Sequence, residues 1–164
     1  MELDALRDAL KEDAVCQLDT IRPSGPSRKA SELYRRHRDS VVIVGRIYKC
    51  GKCDKWHSSM ASGFVIGANG VIVTNYHVLD GEQKGRAIGV MLRDGRMLMV
   101  TEVLASSKRE DLVVLKVNAD DLTPLAIAPK VDVGTEIYCI SHPVEQFFTI
   151  TEGIVAGDFV RKDG

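Results

Sequence analysis

From Val41 onward the chain is a succession of short apolar, β-branched runs separated by glycine-, asparagine- and aspartate-bearing turns. The first run is VVIVGRIY, residues 41–48. Gly63-Phe64-Val65-Ile66 and Val71-Ile72-Val73-Thr74 then flank Gly67-Ala68-Asn69-Gly70, a hairpin signal because Asn and Gly tolerate positive φ. The stretch AIGVMLRDGRMLMVTEVL predicts a second hairpin turning at Arg93-Asp94-Gly95-Arg96, and Leu112 to Val117 predicts another strand. GTEIYCI and FFTITEGIVAG predict two more. Several short strands with little helix between them indicate an all-β barrel or sandwich. There is no βαβ alternation and no internal repeat.

The first forty residues differ. Leu3, Leu6, Leu10 and Ala14 recur at helical spacing among charges, so residues 2 to 18 predict an amphipathic helix. IRPSGPSRKA follows as a linker, and Ser31 is placed to cap a second short helix, SELYRRHRDS. The basic run Tyr34-Arg35-Arg36-His37-Arg38 on that helix reads as a solvated face.

Charge removes several function classes. With 22 basic against 23 acidic residues and a net charge of -1, nothing favours nucleic acid or an anionic membrane as the main partner. No stretch approaches the ~18 to 20 apolar residues of a membrane-spanning helix. The N-terminus interleaves charge with leucine and lacks the apolar core of an export signal, so the compartment stays open.

Two segments carry chemistry. Val73-Thr74-Asn75-Tyr76-His77-Val78-Leu79 sets a histidine at the end of an apolar strand. Arg109-Glu110-Asp111, followed by Leu112-Val113-Val114-Leu115-Lys116-Val117, sets a carboxylate at the mouth of a buried one. A buried carboxylate needs a compensating partner, and an imidazole N–H is a suitable one.

Taken in order, these segments resemble the trypsin/chymotrypsin-like serine proteases, most closely the HtrA-type bacterial branch. S-G-F-V-I-x-x-x-G-x-I-V-T-N-x-H-V (62–78) is similar to that branch's catalytic-histidine hairpin, and V-M-L-R-D-G-R (90–96) to the hairpin that follows. D-L-V-V-L-K-V (111–117) is similar to its catalytic-aspartate strand. V-G-T-E-I-Y-C-I-S-H-P (133–143) and T-I-T-E-G-I-V-A-G (149–157) resemble the opening strands of its second barrel. The resemblance implies an antiparallel two-barrel fold. Residues 1–40 would be a helical extension and linker, 41–130 a complete first barrel, and 131–164 the start of a second. It also implies His77 as general base and Asp111 as the group that orients its ring. Polypeptides would be the substrates and no cofactor would be required. An extracytoplasmic location and oligomerisation are further expectations of the same kind.

The nucleophile is the missing part. Serines stand at 24, 27, 31, 40, 58, 59, 62, 106, 107 and 141, and none lies in the G-[ND]-S-G-G context that aims backbone N–H groups at an oxyanion. Ser62 sits at a structural family position, and Ser141-His142 are adjacent strand residues that face opposite ways. The expectation is a serine endopeptidase whose nucleophile lies beyond Gly164, so that these residues alone are inactive. The rival expectation is a protease-like barrel that serves as a binding or scaffold module.

One motif falls outside the resemblance. Cys50-Gly51-Lys52-Cys53 with His57 gives C-x-x-C-x-x-x-H in the loop between the first two barrel strands. It reads as a zinc knuckle lacking an evident fourth ligand, as a local disulfide or redox pair, or as a surface loop with two thiols. Cys139, in an apolar strand, reads as a core residue.

Overall fold

The computed structural model describes residues 3–10, 14–25, 29–49, 52–80, 84–143 and 146–157. Six strands close into one antiparallel barrel: β1 (Val41–Lys49), β2 (Trp56–Gly67), β3 (Val71–Thr74), β4 (Lys84–Met91), β5 (Met97–Ser107) and β6 (Leu112–Val117). Around the barrel the order is β1-β2-β3-β6-β5-β4, every neighbouring pair being antiparallel. Two further strands, β7 (Glu136–Ser141) and β8 (Thr149–Ile154), pair as a separate sheet. The all-β expectation holds.

Alternation explains why these runs became strands. Val42 and Val44, Ile88 and Val90, and Val113, Leu115 and Val117 all point into the barrel with 0–1% exposure. Each fully buried aliphatic side chain contributes roughly 1.5–3 kcal/mol, and with a period of 2 a one-residue slip would turn the whole set to solvent. Register is therefore fixed by the core. The residues between them serve a second layer, in which Ile66, Val71, Val73 and Val114 pack outside the barrel wall.

That outer layer revises the N-terminal reading. Among the described residues the first helix, α1, covers Leu3–Leu10. From Ala14 the chain is extended: Cys16 and Leu18 turn inward onto the outer layer while Val15 is exposed. The Ala14 carbonyl accepts a hydrogen bond from the Ser106 amide at 3.2 Å. A helix through residue 18 would have withdrawn Cys16 and Leu18 from this face, and tertiary burial outweighs local periodicity. Leu10, at the end of α1, lies in the main core beside Tyr76 and Leu79. The second helix, α2 (Ala30–His37), begins two residues earlier than expected. Lys29 occupies its N-cap without a side-chain bond, and Ser31 lies inside the helix. A 3-10 turn, Arg38–Ser40, leads into β1.

The second sheet is tied to the barrel through His142, which is 8% exposed. Its amide donates to the Ser62 hydroxyl (2.9 Å), and its Nε2 lies 3.2 Å from the Val42 carbonyl. The Phe148 amide donates to its Nδ1 at 2.9 Å. Because Nδ1 accepts, the ring is neutral with its proton on Nε2, which donates to Val42. Burial lowers this histidine's pKa below the ordinary 6.5.

Candidate active site

The site begins at a turn. Gly67 to Gly70 reverses the chain between β2 and β3, and β3 pairs with β6 from Val71↔Lys116 to Thr74↔Val113. Because the strands are antiparallel, the end of β3 and the start of β6 lie side by side. The residues that follow Thr74 therefore face those that precede Leu112. Asn75 leaves the strand, and Tyr76–Val78 form a 3-10 turn whose buried Tyr76 and Val78 hold His77 outward. His77 thus sits on a short helical turn just past the strand, not on the strand end that the alternation suggested.

Opposite it, Asp111 occupies the left-handed region at φ 52. Aspartate is among the few non-glycine residues that enter this region readily. The conformation aims its carboxylate at His77 by two routes: Oδ1 accepts the His77 amide at 2.9 Å, and Oδ2 lies 2.8 Å from Nδ1. Asn75 closes the arrangement from the other side, its Nδ2 donating to Oδ2 at 3.2 Å and to the Asp111 carbonyl at 3.1 Å. The His77 amide first, then its ring, hold the Asp111 carboxyl below the usual carboxylate range. A carboxylate bound to Nδ1 keeps the proton there, so Nε2 presents its lone pair outward.

The expected burial of this carboxylate is corrected. The side chains of His77 and Asp111 are 71% and 41% exposed. Hydrogen bonds to the ionised form, rather than desolvation, dominate the environment of Asp111, because both groups stand on the barrel rim outside the packed core. Asn75 was not foreseen. Its only signal in the sequence is its place two residues before the histidine at a strand end.

Beside the pair runs a cleft of about 680 Å³ between the barrel and the second sheet. Phe64, Val73 and Leu112 line it on the barrel side, Ile137 and Ile150 on the other, and Asn75 at its edge. No serine hydroxyl among the described residues hydrogen-bonds the His77 ring. The Ser62 hydroxyl accepts from the His142 amide instead, in keeping with a structural role.

Of the C-x-x-C-x-x-x-H residues, Cys53 Sγ lies 3.1 Å from His57 Nε2, and Cys50 lies outside the described residues. Among the described residues no three potential ligands cluster as a metal site. No helix among them is long and apolar enough to cross a membrane.

The family model described as "Trypsin-like peptidase domain" matches residues 61–162, which include the hairpin bearing His77, the Asp111 turn and the second sheet. The chain belongs to the trypsin-like peptidase domain family. Among its curated relatives, a "Probable periplasmic serine endoprotease DegP-like" of Marinomonas sp. is 37% identical over 101 residues, covering 60% of this chain and 21% of the relative. A protein of the same name from Hahella chejuensis is 38% identical over 100 residues, covering 60% of this chain and 20% of that one. The solved serine endoprotease from Yersinia pestis superposes with a TM-score of 0.64 at 24% identity, covering 81% of this chain and 46% of that chain. This trypsin-like chain thus spans about a fifth of the length of the curated relatives it matches. The likeness to the solved structure concerns the fold alone.

Proposed function

We propose that these residues supply the base-and-orienter half of a serine endopeptidase of the HtrA type. The observation that carries this reading is the two-point clamp of Asp111 on His77, through Nδ1 at 2.8 Å and the backbone amide at 2.9 Å. It leaves Nε2 as the basic nitrogen. In the reaction, His77 Nε2 takes the proton of a serine hydroxyl as that oxygen attacks a peptide carbonyl. Asp111 stabilises the resulting imidazolium, and the same proton then passes to the leaving amine. Water, deprotonated by the same nitrogen, releases the acyl-enzyme. No cofactor enters these steps. The serine comes from sequence outside these 164 residues, since none of the serines present has the glycine context that forms an oxyanion hole. Extended polypeptides are the substrates. An extracytoplasmic setting is supported by the periplasmic names of the relatives.

Fluorophosphonate labelling tests this reading in two arms. The 164-residue chain should stay unlabelled. The gene product at its full genomic length should label stoichiometrically and cleave unfolded casein, and His77→Ala or Asp111→Asn should lower kcat/KM by roughly a thousandfold or more. An amide at 111 can present its N–H to Nδ1, which moves the ring proton to Nε2 and removes the base. Stoichiometric labelling of the 164-residue chain would overturn the assignment. So would a full-length product indifferent to both substitutions, and the barrel would then be a binding module.

A further inference from the structure

Asn75 occupies the N-cap of the 3-10 turn that carries His77. There an asparagine side chain ordinarily accepts a hydrogen bond from one of the first amides of its own turn. Asn75 makes no such bond. The amide it would take, that of His77, donates instead to Asp111 Oδ1 at 2.9 Å, across 34 residues of sequence. Asp111 thus caps the turn in place of Asn75, and the asparagine side chain is released for another use. Its Nδ2 donates to Asp111 Oδ2 at 3.2 Å and to the Asp111 carbonyl at 3.1 Å. Both partners are acceptors only, so the atom between them is the amide nitrogen with both of its hydrogens committed.

We propose that Asn75 is a positioning residue for the base, holding Asp111 in the arrangement that keeps the His77 ring proton on Nδ1. Its consequence for catalysis rests on the proteolytic reading, whereas the clamp itself rests on geometry. Asp111 needs holding for two reasons. Both its side chain and that of His77 are exposed, so water competes for the bond between them. Asp111 also stands at φ 52, outside the regions that an L residue prefers. A carboxylate rotates readily about its last bond, and Oδ2 drifts from Nδ1 unless a second donor fixes it. Asn75 restrains both freedoms at once. Its bond to the carbonyl fixes the peptide that follows the left-handed residue. Its bond to Oδ2 fixes the plane of the carboxylate, and Oδ2 is the oxygen that meets Nδ1 at 2.8 Å. The side chain also ties the exit of β3 to the entry of β6, beyond the Thr74↔Val113 pair. Asn75 touches no reacting atom; it acts through Asp111. Once the bond at Nδ1 weakens, nothing confines the proton there, and a ring that carries it on Nε2 has no lone pair to offer a serine hydroxyl.

Ring-nitrogen NMR of the 164-residue chain, carrying isotope-labelled histidine and held at a pH where the imidazole is neutral, tests the clamp without any peptidase activity. The parent should show His77 as a single tautomer with its proton on Nδ1. In Asn75→Ala the two ring-nitrogen shifts should move toward each other as the tautomers exchange. Asn75→Asp keeps the shape and remains a good N-cap, but it has no N–H to donate and should do the same. A residue needed only to cap its turn would tolerate that change, so parent-like shifts in Asn75→Asp would sink the proposal. Near-ultraviolet circular dichroism should show the fold retained in both variants. In the full-length gene product, Asn75→Ala should lower kcat by roughly ten- to a hundredfold, the worth of hydrogen bonds to a charged group, with KM within about twofold. In an Asp111→Ala background the same change should cost less than about twofold, because nothing is left to hold. Ring shifts unmoved by Asn75→Ala, or equal losses in the two backgrounds, would overturn the positioning role while leaving the proteolytic reading intact. A full-length product indifferent to His77→Ala would end the proteolytic reading instead, and the ring shifts would still decide the clamp.

Discussion

Gly70 and Gly95 have nearly the same positive φ and very different surroundings, so replacing each by alanine separates local strain from tertiary fit. Their φ values are +90 and +88. An L side chain in that region costs about 1–2 kcal/mol at either site. At Gly95 a new Cβ would meet nothing within 4 Å, and the cost ends there. At Gly70 the Cβ would lie 2.2 Å from the Val117 carbonyl oxygen and 3.0 Å from that of Ala119. Both obstacles are backbone and neither can rotate away. Relief requires the turn to move off the end of β6, which breaks the Val117 amide bond to the Gly70 carbonyl at 2.9 Å and strains the Leu122 amide bond to the Ala68 carbonyl at 3.1 Å. A buried backbone group left unpaired costs roughly 1–3 kcal/mol. Gly70→Ala should therefore destabilise by about 3–5 kcal/mol against about 1–2 for Gly95→Ala. With a urea m-value of about 2 kcal/mol/M, the midpoint of Gly70→Ala should fall roughly 1 M below that of Gly95→Ala. Equilibrium urea unfolding followed by circular dichroism measures both. Midpoints that agree would refute the claim that close approach to β6 demands glycine at this turn. The turn matters for the site because β3 runs only four residues before it delivers the His77 turn.

Two further tests probe how the flanking elements are attached. His142 is buried and neutral with a lowered pKa, so below its ordinary 6.5 the unfolded chain binds a proton that the folded chain excludes. Its contribution is complete above about pH 6.5 and is lost as pH falls through the lowered folded value. In urea unfolding at several pH values, the stability advantage of the parent over His142→Gln should shrink on acidification, and a constant advantage would contradict the neutral-ring assignment. Leu10 is 4% exposed in the main core, so Leu10→Ala should cost about 2–4 kcal/mol. A loss under about 0.5 kcal/mol would mean that α1 does not seal the barrel in solution.

The alternation of valine and isoleucine carried most of the fold. Val42 with Val44, and Val113 with Leu115 and Val117, could be buried together only as strands, and the Gly67–Gly70 and Arg93–Arg96 signals set two of the reversals. Periodicity misled where two structures could bury the same residues. Leu3, Leu6, Leu10 and Ala14 fit one long helix, yet residues 14–18 are not helical and Cys16 and Leu18 alternate onto the barrel wall.

The sequence by itself determined a succession of short antiparallel strands with little helix between them, because residue types at fixed local spacing decide that; the barrel, and His77 and Asp111 as a pair, came from the resemblance of its motifs to a known family. Only the tertiary structure decided how those two groups meet. Asp111 reaches His77 from 34 residues away in a left-handed conformation that Asn75 stabilises from across β3 and β6. The same is true of the exposure of that carboxylate, the docking of residues 14–18, and the anchoring of the second sheet by His142. Each depends on which surfaces come to face one another once the barrel closes, and local pattern holds no record of that.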